Sequence, residues 1–290
     1  MFFTLFRCLR PNQWTKNIVI FAGIIFAQNF FCLNYFLKIT CAFILFCLIS
    51  GVVYIFNDII DLEKDKNHPV KKLRPLAKGE VKIWQAALFG GILLLFSLLS
   101  SFFLSLDFLF IVIGYLLLQI FYTISLKHIV IIDVFVIACG FVLRVVAGTK
   151  VINIPISSWL LICTVLLALF LALSKRRHEL VLLNNNSSFH RGILKEYSVS
   201  LLDQMIILVA TATVITYILY TMAQETVEKF STDNLKYTIP FVLYGIFRYL
   251  YLIHQKGKGG SPEKVLLSDY PLLINIFLYG LTILLILYIH

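Results

Sequence analysis

An all-α polytopic membrane protein with nine transmembrane helices is what the sequence predicts, and three observations predict it. First, 60% of the 290 residues are hydrophobic and only 14% are charged, which is far too apolar for one soluble domain. Second, apolar runs recur along the whole chain, at 18–34, 38–57, 84–104, 107–125, 129–148, 158–174, 201–221, 237–254 and 270–289. Most reach the roughly 17–25 residues that a helix needs to cross a bilayer. Third, the basic residues favour one side. With the N-terminus placed in the cytoplasm, nineteen Lys and Arg residues fall inside and four (Lys38, Lys150, Lys229, Lys236) outside, the bias of the positive-inside rule. That placement explains the net charge of +10 as topology and argues against a nucleic-acid partner. The chain, 1–290, reads as a single transmembrane domain.

Met1 to Arg10 has no charged n-region ahead of a cleavable apolar core, so no signal peptide is read. Leu9-Arg10-Pro11-Asn12-Gln13-Trp14-Thr15-Lys16-Asn17 then leads into the first span. Trp14 and Lys16 suit a membrane interface, where an aromatic ring and a snorkelling amine are both comfortable. The other use open to the stretch is electrostatic, with Arg10 and Lys16 reaching toward a phosphate above the membrane.

The second span runs straight into Asn57-Asp58-Ile59-Ile60-Asp61-Leu62-Glu63-Lys64-Asp65. If the helix continues past Asn57, residues four apart stack on nearly one face. Asn57, Asp61 and Asp65 then form a column about 12 Å long, with Asp58 about 60° to its side. The column has room for two divalent cations and a diphosphate bridging them. Magnesium suits it best, because that ion takes one or two carboxylates, keeps waters and completes its shell with phosphate oxygens. The plainer reading is an acidic, solvated helix end. The setting favours the metal: acids at a membrane boundary are functional by default, and Lys71, Lys72, Arg74 and Lys78 follow directly. Pro69 and Pro75 prevent a continuous helix through this loop. Within it Arg74 is a better phosphate ligand than Lys78, since a guanidinium can hold phosphate bidentately.

Span four ends in Tyr122-Thr123-Ile124-Ser125-Leu126-Lys127-His128, and span five begins at once. The turn between them is very short, so its polar groups sit at the cytoplasmic mouth. Tyr122 serves there as a belt aromatic or a site residue, and Lys127 is a candidate phosphate ligand. Asp133 and Arg144, eleven residues apart, fall on nearly one face of span five. Arg144 lies deep, where an unpaired charge is expensive; it needs an ion-pair partner or a substrate phosphate.

Span six is expected to close at Ser174, followed by Lys175-Arg176-Arg177-His178-Glu179, which is either a stop-transfer signal or half of an anion site. Asn184-Asn185-Asn186-Ser187-Ser188 reads as a flexible loop. Thr211, Thr213 and Thr216 in span seven suit helix–helix contacts. The stretch Lys256-Gly257-Lys258-Gly259-Gly260-Ser261-Pro262 lacks the phosphate-loop pattern and reads as a connector. The six cysteines are scattered through apolar runs without C-x-x-C, which points to packing rather than a disulfide framework or a zinc site.

The motif Asn57-Asp58-x-x-Asp61-x-x-x-Asp65, at the cytoplasmic end of the second of nine helices, resembles the signature of the UbiA superfamily of intramembrane prenyltransferases. Tyr122 with Lys127 is similar to that family's tyrosine–lysine pair on helix four, spaced one residue wider. The family's second aspartate-rich motif, after helix six, is replaced here by Lys175-Arg176-Arg177-His178-Glu179. In that replacement the chain is similar to the decaprenyl-phosphate phosphoribosyltransferase branch. Leu9-Arg10-Pro11-x-Gln13-Trp14-x-Lys16-Asn17, His68-Pro69 and Arg74-Pro75 carry the same resemblance.

The resemblance implies nine helices around a central cavity open to the cytoplasm and laterally to lipid, in the cytoplasmic membrane of a prokaryote. It implies transfer of 5-phosphoribose from phosphoribosyl diphosphate to a polyprenyl phosphate, releasing diphosphate, toward lipid-linked pentose and cell-wall glycans. Asn57, Asp58, Asp61 and Asp65 would hold Mg²⁺ on the departing diphosphate. Lys16, Asn57, Arg74, Lys78, Tyr122, Lys127, Arg144, Lys175, Arg176 and Arg177 would contact substrate, with Asp58, Asp61, Lys127 and Arg144 nearest the chemistry. The residues agree with this: three anionic groups in one pocket call for one metal-holding arm and several cations, not two acidic arms. A homo-oligomer is compatible with such an enzyme. One alternative is a prenyltransferase joining a polyprenyl diphosphate to an aromatic acceptor, against which the missing second acidic motif counts. Another is a transporter or scaffold with a structural cation site.

Overall fold

The structure, a computed structural model, describes residues 2–67, 71–183, 192–257, 259–260 and 262–288. The expectations placed on His68-Pro69, Asn184 to Ser188, Arg191, Lys258 and Ser261 lie outside the described residues. Those described form helices and turns with no strand among them. They divide into two compact units, Met1–Leu126 with Leu143–Pro155, and Lys127–Val142 with Ile156–His290.

The first unit starts with α1 (Phe2–Cys8), a 3₁₀ helix over Pro11–Phe21 and the short α2 (Ala22–Ile25). The longest helix among the described residues, α3 (Leu33–Ile60), follows, then α4 (Leu62–Lys66), α5 (Ile83–Leu104) and α6 (Leu106–Ile124). Helix α7 (Ile132–Val151) gives its second half to this unit and its first half to the other. Sequence explains how these pack. On α5 the buried positions Ala86, Gly90, Ser97 and Ser101 are all small and share one face, the composition that lets helices approach closely in lipid. The opposite stripe, Ile92, Leu95, Leu99 and Phe103, is exposed and wholly apolar. Ser105 separates α5 from α6 in extended backbone, and its hydroxyl caps α6 by accepting from the Phe108 N–H. Helix α6 turns Phe108, Val112 and Tyr115 inward, where the first and last of these rings meet Phe46 of α3.

The stretch expected as a first span, 18–34, is not one helix. It comprises the end of the 3₁₀ helix, α2, and a turn with φ +56° at Gln28. A 3₁₀ helix rises about 2.0 Å per residue against 1.5 Å for an α-helix, so Pro11 to Ile25 covers about 28 Å. This coil and α2 lie in close approach to α7. A Cβ on Gly148 of α7 would fall 2.0 Å from the Ile20 carbonyl oxygen, and one on Gly23 would fall 2.5 Å from Thr149 Cγ2.

The second unit holds α8 (Ser158–Leu183), α9 (Val199–Met222), α10 (Gln224–Phe230), α11 (Ile239–His254), α12 (Pro262–Ser268) and α13 (Tyr270–Tyr288). Ser198 caps α9 by accepting from Leu201 N–H at 3.1 Å. Asp269 caps α13 by accepting from Leu272 N–H at 3.1 Å, and also takes a two-pronged bond from Arg248 of α11. Its core joins buried positions of α7, α8, α9 and α11, among them Val134, Phe170, Leu202, Ile206 and Tyr249.

Two further boundaries differ from expectation. Helix α8 does not close at Ser174 but continues to Leu183. Lys, Arg and Glu are good helix formers, and Arg176–Glu179 and Lys175–Glu179 pair one turn apart. Helix α7 starts at Ile132 rather than 129, because the chain reverses tightly at Val130 and Ile131. Among the described residues, seven helices (α3, α5, α6, α7, α8, α9 and α13) are long and apolar enough to cross a membrane. Helix α11, at 16 residues, is shorter than these.

Candidate active site

The acidic stretch sits where α3 gives way to α4. The helix runs on past Asn57 as far as Ile60, where α3 ends, and Asp61 leaves helical geometry with φ −91° and ψ 13°. Backbone bonds nevertheless carry the four-residue spacing across the break, from Asp61 N–H to Asn57 C=O at 2.9 Å and from Asp65 N–H to Asp61 C=O at 2.8 Å. Residues seven apart fall within about 20° of each other on such a coil, so Asp58 and Asp65 share a face. Each is 2% exposed.

Two arginines close over that face. Arg74 Nη1 donates to Asp58 Oδ1 at 2.9 Å and also to Asp65 Oδ2. Arg10 Nη2 donates to the same Asp58 oxygen, and Lys71 Nζ stands 3.9 Å from Asp65 Oδ1. Arg10 has a left-handed backbone, φ 53°, at the head of the 3₁₀ helix, and its guanidinium lies 4.9 Å from the centre of the Tyr54 ring. Burial pushes the Arg10 guanidinium below its ordinary range, while Asp58 beside it works in the opposite direction. Asn57 accepts from Thr123 Oγ1 of α6 at 2.7 Å, which ties the end of α6 to the acidic stretch next to the half-buried Tyr122.

About two turns deeper along α3 is a second polar cluster in the same unit. Arg144, 5% exposed, donates through Nε to Asn17 Oδ1 at 2.7 Å and through Nη2 to Tyr115 Oη at 2.9 Å. Its guanidinium also lies 4.9 Å from the Tyr115 ring centre and 5.6 Å from that of Phe46. Asn17 in turn donates to Ser50 Oγ and Cys47 Sγ of α3, both at 3.2 Å. Ser50 precedes Asp58 by eight residues, so the Arg144 cluster lies about 12 Å along the helix axis from the paired acids.

The second unit carries the other expected residues. Lys127, 9% exposed, lies in a 3₁₀ turn at Leu126–His128. Just beyond it, Ile131 has φ +69°, and the Val130 C=O accepts from Ile132 N–H at 2.8 Å. These mark the left-handed γ-turn, a strained form, and for a β-branched residue it costs on the order of 1–3 kcal/mol. The Ile131 N–H donates to Tyr197 Oη at 2.7 Å, and Tyr197 Oη donates to Asp133 Oδ1 at 3.0 Å. Asp133 Oδ2 accepts from Arg176 Nε at 2.6 Å, and Arg176 Nη1 donates to Glu179 Oε2 at 2.6 Å. Asp133 is 0% exposed and Arg176 1%. Arg177 bonds Asp203 of α9, and Lys175 lies 4.0 Å from Glu179.

Of the residues expected at the site, the structure thus brings Asp58, Asp65 and Arg74 together and sets Asn57 and Asp61 on the same stretch. Lys78 is exposed and lies 3.4 Å from Glu80, while Lys16 is half-buried in the 3₁₀ helix. Asp133 and Arg144 meet different partners rather than each other. Sequence reasoning left Arg10 outside the site proper, although it stands in the quoted Leu9–Asn17 stretch. It also gave no role to Asn17, although that residue closes the same quoted stretch, or to Tyr197, which has no signal at all.

Among the described residues no three His, Cys, Asp or Glu side chains converge on one metal position. The acids converge as a pair, Asp58 with Asp65, on one cationic nitrogen. Two carboxylates reaching a single positive group, with Asn57 and Asp61 adjacent, form a hard oxygen donor set of the kind magnesium takes.

A helical membrane protein with a buried acid pair clamped by arginines where α3 gives way to α4 is the class that fold and site define. The profile of the UbiA prenyltransferase family matches residues 17–179, and the chain belongs to that family. It is 33% identical over 276 residues to a decaprenyl-phosphate phosphoribosyltransferase of Mycolicibacterium smegmatis, a match covering 91% of this chain and 86% of that one. A protein of the same name from Mycobacterium tuberculosis is 30% identical over 269 residues, covering 91% and 87%. Among solved structures, a UbiA homologue from Archaeoglobus fulgidus bound to GPP and Mg²⁺ superposes with a TM-score of 0.72 at 17% identity. That match covers 98% of this chain and 99% of that one, and it establishes the shared fold.

Proposed function

We propose that this protein transfers 5-phosphoribose from phosphoribosyl diphosphate to a polyprenyl phosphate, releasing diphosphate, as a step toward lipid-linked pentose and cell-wall glycans. The observation that carries this reading is the sequence similarity to the decaprenyl-phosphate phosphoribosyltransferases along 91% of the chain. The site agrees with it. One acidic arm, Asn57 to Asp65, is accompanied by arginines, and Lys175-Arg176-Arg177 stands where a second acidic arm would serve a prenyl diphosphate.

In this reading Asn57, Asp58, Asp61 and Asp65 would hold magnesium through their side-chain oxygens. When bound, the ion supplies charge neutralisation on the departing diphosphate. Arg74, with Arg10 beside it, contacts both the acids and the diphosphate oxygens, and Lys16 and Lys78 add charge at the rim. Lys127, Arg144, Lys175 and Arg177 share the 5-phosphate and the acceptor phosphate, with Tyr122 near the sugar. An oxygen of the ionised lipid phosphate attacks C1 of the ribose and the C1–O bond to diphosphate breaks, so no strong general base is needed. Catalysis then comes from positioning and from charge stabilisation on the leaving group.

The chain acts as one domain in the cytoplasmic membrane of a prokaryote, N-terminus and acids inside. Its spans number nine if the Pro11–Ile25 stretch and α11 cross with the seven long helices, around a cavity open to cytoplasm and lipid. A homo-oligomer is compatible with this. The test is an incubation of purified protein with radiolabelled phosphoribosyl diphosphate, a polyprenyl phosphate and Mg²⁺, followed by lipid extraction. Label passing into the lipid phase is the expected result. No transfer, with consumption of a prenyl diphosphate and an aromatic acceptor instead, would assign the protein to aromatic prenylation.

A further inference from the structure

The cation at position 176 is enclosed, and what encloses it leads to the turn beside Lys127. Arg176 Nε reaches Asp133 Oδ2 at 2.6 Å, Asp133 Oδ1 accepts from Tyr197 Oη at 3.0 Å, and Tyr197 Oη accepts from Ile131 N–H at 2.7 Å. Every side chain in this chain of bonds is buried: Asp133 0% exposed, Arg176 1%, Tyr197 4%. It ends on the one backbone amide whose residue holds a left-handed φ at the centre of the γ-turn. A β-branched residue leaves that conformation unless surrounding bonds fix it. Four residues earlier on the same short connection is the buried Lys127.

We infer that Arg176, Asp133 and Tyr197 are positioning residues that lock the Ile131 γ-turn and thereby set the place of the Lys127 ammonium. The inference rests on the reading above that Lys127 takes a substrate phosphate, and it gives Arg176 a different task from its neighbours Lys175 and Arg177. The acceptor and donor roles of Tyr197 Oη are both needed, since the oxygen receives the amide proton and passes its own to Asp133. Burial pushes the Tyr197 phenol up to about 12, so it keeps that proton throughout the physiological range. Glu179, one turn along α8, fixes the far side of the guanidinium at 2.6 Å.

Four variants in detergent test this: Lys127→Ala, Tyr197→Phe, Tyr197→Phe with Ile131→Gly, and Asp133→Asn. Thermal unfolding is recorded beside KM and kcat for both substrates. Lys127→Ala is expected to raise KM for one phosphorylated substrate about tenfold or more, the scale of one charge-assisted hydrogen bond. Tyr197→Phe is expected to raise the same KM with little change in kcat, and Asp133→Asn to act in the same direction. Glycine holds φ near +69° without strain, so adding Ile131→Gly to Tyr197→Phe should restore most of the lost affinity. A purely structural role would lower the unfolding temperature of Tyr197→Phe and leave its KM native, with no rescue by glycine; that overturns the inference. A native KM in Lys127→Ala removes Lys127 from the phosphate reading and the inference with it. A raised KM there with a native KM in Tyr197→Phe overturns the inference alone.

Discussion

Asp58 and Asp65, seven residues apart, accept hydrogen bonds from one and the same nitrogen, Nη1 of Arg74. The pairing crosses a break in the helix at Asp61 and survives because the backbone bonds on either side keep the four-residue step. Carboxylates buried this deeply repel one another unless a cation lies between them, so Arg74 acts as the internal counter-ion of the acid pair. A guanidinium can serve both carboxylates and a phosphate; a lysine ammonium, a compact point charge, is less able to do so.

Arg74→Lys is therefore expected to keep the protein folded and to lower kcat/KM by about 10- to 100-fold, the worth of roughly 1.5–3 kcal/mol for hydrogen bonds to charged groups. Steady-state kinetics at saturating Mg²⁺ measure it. Wild-type kcat/KM in that variant would remove the bridging role.

Asp61→Ala should abolish Mg²⁺-dependent turnover, by roughly a hundredfold or more, with the unfolding temperature nearly native. Asp61 occupies the break between α3 and α4 rather than the interior of either, which is why its loss spares the fold. Full activity would take the acidic stretch out of the mechanism.

Gly148→Ala tests the contact between α7 and the Pro11–Phe21 coil. The new methyl would meet a backbone oxygen at 2.0 Å, and backbone cannot swing aside as a side-chain tip does. A loss of about 1–3 kcal/mol or more is expected, read as a lower unfolding temperature in detergent. A wild-type value would mean that α7 and the 3₁₀ helix are not held this closely.

Asp133→Ala leaves Arg176 with Glu179 as its neighbouring acid and takes away the acceptor of Tyr197. Removing one partner of a buried ion pair costs about 3–5 kcal/mol; the change should therefore be far more damaging to thermal stability than Asp203→Ala, whose partner Arg177 is only partly buried. Equal unfolding temperatures in the two variants would contradict that ranking.

Cys8 gives a pH-dependent test. Burial first, and Asp58 second, push its thiol from 9.0 up to about 11. An acid whose folded pKa is raised favours folding while protonated, so this contribution is present below about pH 9 and falls as pH climbs from there toward 11. Maleimide labelling below pH 9 should modify the exposed Cys32, which lies just ahead of α3, before Cys8. Early labelling of Cys8, read by mass spectrometry, would place that residue at the surface.

Hydropathy located α3, α5, α6, α9, α11 and α13 within a few residues, because a helix in lipid must satisfy its own backbone with a long apolar run. The same signal placed a span at 18–34 and could not tell an α-helix from a 3₁₀ helix, since both are apolar, nor could it show how near Gly148 lets the Ile20 backbone come. Charge density likewise ended a span at Ser174, although Lys175, Arg176 and Glu179 pair along one face and keep α8 wound.

By itself, then, the sequence determined a membrane fold and an acidic stretch whose spacing repeats with the helix, since composition and period are local properties. Only the tertiary structure decided which cation meets which acid. Arg10 reaches Asp58 across 48 residues, Arg74 reaches it across 16, and Arg176 reaches Asp133 across 43. Separations of that length are set by how helices pack, and no periodic pattern along the chain encodes them.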